Sequence, residues 1–132
     1  KESFLKGAEI AYETILTSFD KKEKDKLKKL LTPHMSENFE SAITQRQKDG
    51  ITSELTFISM KETKLEKFEK IKNQMFATVK LVSEIISVKR DKNNKIIEGN
   101  PDKIKLVTDH WKFSKNIFSK NPNWYLSDII GK

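Results

Sequence analysis

The apolar residues of this 132-residue chain change their period at Gly50. Before it they recur every three or four residues, the spacing of one helix face. After it they alternate, the spacing of a strand. Phe4, Ala8, Tyr12, Ile15 and Phe19 form one stripe and predict a first helix. Asp20, with Glu23 three residues on, reads as a capping box that opens a second helix with Leu27, Leu30 and Leu31 on its face. Thr32 and Pro33 read as N-cap and first residue of a third helix, which carries Met35, Phe39, Ala42, Ile43 and Arg46. Gly50 is its stop.

Beyond Gly50, Leu55 and Phe57 against Ile58 and Met60 predict a strand. The segment from Glu62 to Lys72 reads two ways, as a short helix or as a charged edge strand whose lysines block stray pairing. Phe76 to Val88 is rich in Val and Ile and predicts a strand with Ala77, Val79 and Leu81 inward. Apolar residues on both faces near Val82 and Ile85 predict a bulge or two-sided burial. Asn93-Asn94 and Gly99 to Asp102 read as turns. Strands over Ile104–Phe118 and Trp124–Ile130 complete the sheet. Helices first and strands after give an α+β fold with an antiparallel sheet, in one domain spanning 1–132.

The last two strands concentrate aromatic surface. Val107, Asp109, Trp111 and Phe113 share one face, Asn121-Pro122-Asn123 turns the chain, and Trp124 and Leu126 return on the same side. Trp111, Phe113, Val79, Leu81, Trp124 and Leu126 are the expected floor of a hydrophobic pocket, with Phe39 and Ile43 in its lid. The same residues also describe a filled core. Asp109 stands among them and needs a hydrogen-bond partner, either backbone N–H groups or the Trp124 indole. An inward carboxylate can act as a general base, but no second positioned polar group accompanies it. His34 and His110 have no ligand spacing, so no metal site or cofactor is expected.

The net charge is +7, and all but two of the 26 basic residues are lysines. Lysine is a hydrated point charge, suited to an anionic surface more than to reading bases. The richest run carries Lys21, Lys22, Lys24, Lys26, Lys28 and Lys29 against two acids. It predicts either contact with anionic headgroups or a solvated face. With no cysteine, disulfides and thiolate metal sites are excluded. No apolar run approaches the roughly twenty residues that span a bilayer. The chain opens on lysine, and we expect a longer polypeptide with any anchor upstream.

The ordered set Phe4-x-x-Gly7-Ala8, Ala11-Tyr12, Asp25-x-Leu27-x-x-Leu30-Leu31, Phe39-x-x-Ala42-Ile43-x-x-Arg46, Val107-Thr108-Asp109-x-Trp111-x-Phe113 and Asn121-Pro122-Asn123-Trp124-x-Leu126 resembles the Tim44-like domain family. The resemblance runs from Phe4 to Ile130. It implies a curved antiparallel sheet wrapped by helices, similar to the nuclear transport factor two fold, with a hydrophobic pocket between the layers. It also implies a non-enzymatic adaptor, peripheral or N-terminally anchored at the inner membrane on its cytoplasmic or matrix side. Such a domain would bind a cardiolipin-like lipid and a protein partner such as a translocase subunit or chaperone. The family's chaperone-docking portion lies upstream of this domain, so chaperone tethering does not carry over. Lys115 stands near the position where a basic residue commonly follows the Trp-x-Phe segment. A small-ligand or catalytic domain of the same fold and a ribosome-docking module are the alternatives, and specific nucleic-acid reading is not expected.

Overall fold

The computed structural model describes residues 2–130. Three helices come first: α1 (Glu2–Asp20), α2 (Lys24–Lys28) and α3 (Pro33–Lys48). Five strands follow: β1 (Thr52–Ile71), β2 (Gln74–Arg90), β3 (Ile96–Gly99), β4 (Lys105–Asn116) and β5 (Tyr125–Ile130). The fold is α+β, as the change of period predicts. All strand pairs are antiparallel, in the order β1-β2-β4-β5, with β3 pairing the far end of β2 beyond the start of β4.

The helix ends show where local chemistry decides. Thr32 is extended and accepts a hydrogen bond from the Met35 amide, with Pro33 at the first helical position, as predicted for α3. At its other end the Gly50 amide reaches Gln47 O and the Ile51 amide reaches Arg46 O, around a Gly50 φ of 68°. This is a Schellman closure with glycine at the left-handed position. The predicted capping box at Asp20 is not formed. Asp20 is the last residue of α1, and its carboxylate accepts from Ser53 Oγ and the Leu55 amide on β1 instead. Helix α1 closes with the same Schellman bonds, Lys22 N to Phe19 O and Glu23 N to Ser18 O, but with Lys22 at φ 61° where glycine is usual. Glu23 precedes α2 and makes no side-chain cap.

The segment Glu62–Lys72 resolves as strand through Ile71: it continues β1 to the end of a 20-residue edge strand. The register with β2 slips three times, leaving Ile58, Lys61 and Glu66 without an opposite residue. Each bulge bends the strand and raises its twist, so β1 curls around the core and its outer edge stays irregular. The predicted disturbance near Val82 and Ile85 is two-sided burial: Leu81, Val82, Ser83 and Ile85 are all buried, and the bulges lie across the ladder in β1. The other edge is partly covered. Thr32 N donates to Leu126 O and Leu126 N to Leu30 O, so the α2–α3 connector runs as a short parallel partner of β5.

The core lies between α1 and the sheet. Ala8, Tyr12 and Ile15 meet Val79, Leu81, Trp111, Phe113 and Leu126, with Leu27, Leu31, Met35 and Ile43 closing the side. Rings interlock along α1: Phe4 meets Trp124 at 4.9 Å, Tyr12 meets Trp111 at 4.7 Å and Phe19 meets Phe39 at 5.0 Å, all near edge-to-face. Such pairs add roughly 0.5–1.5 kcal/mol each beyond the area they bury. The apolar stripe of α1 is therefore spent on the sheet.

Candidate functional site: a groove beside α1 and a lysine-rich turn

Asp109 sits on β4 with its side chain toward α1. Its Oδ2 accepts a hydrogen bond of 2.6 Å from the Tyr12 hydroxyl, which is also 3.0 Å from Ser83 Oγ. The partner of Asp109 is thus neither a backbone amide nor the Trp124 indole, as the sequence suggested, but the one polar atom in the α1 stripe. Tyr12 is fully buried. Burial first, and then the neighbouring carboxylate, push its phenol well above the usual tyrosine range. The trio ties the middle of α1 to β2 and β4.

Of the residues read either as a pocket or as a filled core, most are packed. Val79, Leu81, Ile43 and Leu126 are fully buried, Trp111 lies under Tyr12, and Phe39 packs against Phe19. Two of the expected pocket residues, Phe113 and Trp124, instead border a groove of about 570 Å³ on the neighbouring side of α1. Phe4, Gly7, Ile10 and Ala11 form one wall, Pro122 and Trp124 the other, and Leu30 closes an end. Among the described residues no charged side chain lines it. Ile10 is 61% exposed at its mouth. Sequence reasoning missed this wall. Its signal was a second small-and-apolar spacing, Gly7, Ile10, Ala11 and Thr14, turned about a quarter-turn or more from the core stripe.

The six lysines of the α1–α2 turn and α2 do not act alike. Lys21, Lys24, Lys28 and Lys29 are exposed. Lys26 is also exposed but lies 3.3 Å from Glu23. Lys22 is half-buried in the left-handed closure of α1. On the opposite face of the sheet His110 Nδ1 lies 2.7 Å from Glu66 Oε1, a cross-strand pair away from the groove.

Among the described residues no helix is long and apolar enough to cross a membrane. The model of the Tim44-like domain family matches residues 1–131. The intermembrane space region of the chloroplast protein ARC6 is similar in fold: its crystal structure superposes with a TM-score of 0.62 over 97% of each chain, at 11% sequence identity. No curated protein sequence matches.

Proposed function

The chain belongs to the Tim44-like domain family, and on that premise we propose that it is a non-enzymatic adaptor, held peripherally on an anionic membrane surface while it engages a protein partner. The observation that carries this reading is the exposed lysine set of the α1–α2 turn and α2, Lys21, Lys24, Lys28 and Lys29, on a chain of net charge +7. Each lysine near an anionic leaflet contributes on the order of 1 kcal/mol, so four suffice for reversible attachment. The uncharged groove suits an apolar segment or an acyl chain. A non-catalytic role agrees with Asp109, whose carboxylate is engaged by Tyr12 and does not line the groove.

Flotation with cardiolipin-containing vesicles tests the proposal. The chain is expected to float at low salt and to be released at high salt, because screening weakens surface attraction. Reversing Lys21, Lys24, Lys28 and Lys29 to glutamate should abolish flotation while leaving the fold intact. Failure of the unaltered chain to float at either salt refutes the membrane half of the reading.

A further inference from the structure

Resting on the membrane reading above, we infer that the end of the sheet formed by the β1–β2 turn and the β4–β5 loop is a second membrane contact, one that inserts apolar side chains into an anionic bilayer interface. The two loops are joined: the Ile117 amide donates to Asn73 O at 2.9 Å. Together they present Phe118, 74% exposed, and Ile71, 52% exposed, with Phe68 three residues back along β1 at 56%. Large side chains are rarely left together in water at a loop tip without a partner.

Charge identifies the partner. Lys70, Lys72 and Lys120 are exposed around these residues, and Lys115 is half-buried beside them. From His110 to Ser127 there is no acid at all. The nearest acid on the other loop, Glu69, is 3.5 Å from Lys67. An apolar tip inside a lysine collar matches an interface whose surface is negative and whose interior is greasy.

The loop is also built to leave water. Backbone groups entering a bilayer interface must keep their hydrogen bonds. Here Asn116 Oδ1 takes the Phe118 amide, Asn116 O the Ser119 amide, Ser119 Oγ the Asn121 amide and Asn121 Oδ1 the Asn123 amide. Asparagine and serine thus satisfy four of this loop's amides from within, and Asn73 O takes a fifth, which lowers the cost of desolvating the tip.

The absence of cysteine allows a single-site probe. An environment-sensitive fluorophore on Phe118→Cys, and separately on Lys103→Cys at the opposite end of the sheet, reads insertion into phosphatidylcholine vesicles with and without cardiolipin. We expect a blue shift and quenching by brominated lipid at position 118 only, and only with cardiolipin. Phe118→Asp, at an exposed site that does not support the core, should weaken vesicle binding tenfold or more with an unchanged melting temperature. If the unaltered chain floats while the label at 118 stays in water, or if Phe118→Asp binds equally well, the tip faces a protein or nothing and the inference fails, with the lysine-turn attachment still standing. If the unaltered chain does not float, both fall together.

Discussion

A hydroxyl set into an apolar helix stripe has to find an acceptor, and Tyr12 finds Asp109 at 2.6 Å across the helix–sheet interface. Tyr12→Phe keeps the ring against Trp111 but leaves a half-buried carboxylate without its donor. We expect a loss of roughly 1–3 kcal/mol in chemical denaturation. The same contact sets an alkaline limit. Because burial and Asp109 raise the Tyr12 phenol above its ordinary 10.0, its contribution is complete below that pH and is lost as pH rises beyond it, where the unfolded chain ionises first. Stability should therefore fall above about pH 10, and less steeply in Tyr12→Phe, followed by denaturation midpoints across pH 8 to about 11. Arg46 does comparable work at the end of α1. Its Nη2 donates to Phe19 O at 2.6 Å and its guanidinium stacks on the Phe19 ring at 4.5 Å, a cation at the negative end of a helix that carries no basic residue in its own last turn. Lysine cannot reproduce both contacts, so Arg46→Lys should cost about 1 kcal/mol by the same measurement.

At the level of elements, one strained residue is Lys22, a lysine in the left-handed conformation that closes α1. Lys22→Gly removes a penalty of roughly 1 kcal/mol, so it should raise the melting temperature slightly. Gly99→Ala should do the reverse. At a φ of 86° its Cβ would stand 1.9 Å from Ser87 O, which breaks the β2–β3 pairing. Amide exchange should rise at Val88 to Arg90 and stay slow in α1. These two closures explain what could be read in advance. The Thr32-Pro33 start and Gly50 stop of α3 were legible because each uses the residue its geometry favours. The end of α1 was not, because a lysine occupies the glycine position and Asp20, which looks like a cap, serves a distant strand. Glu62–Lys72 stayed ambiguous because the bulge at Glu66 interrupts the alternation that marks a strand. The aromatic face of β4 and β5 was legible from period alone, but not whether it was covered. That depended on Tyr12 lying over Trp111, a fact of docking between distant segments.

Across the whole molecule, exposed lysines stand along Lys21–Lys29 and at both ends of the sheet, while the described residues that line the groove between α1 and the β4–β5 loop carry no charge. The connector after α2 matters at this scale too. Leu30 and Thr32 hydrogen-bond to Leu126 from outside β5. A fragment beginning at Ile51 would keep every strand yet expose that flank, along with Val79, Leu81, Trp111 and Phe113, so it should be recovered as aggregate and not as monomer on size exclusion. The helical half is in this sense a chaperone to its own sheet. Since it is made first on the ribosome, the backbone bonds that seal β5 wait for the strand they will seal, and the adhesive margin is never left unattended once it emerges.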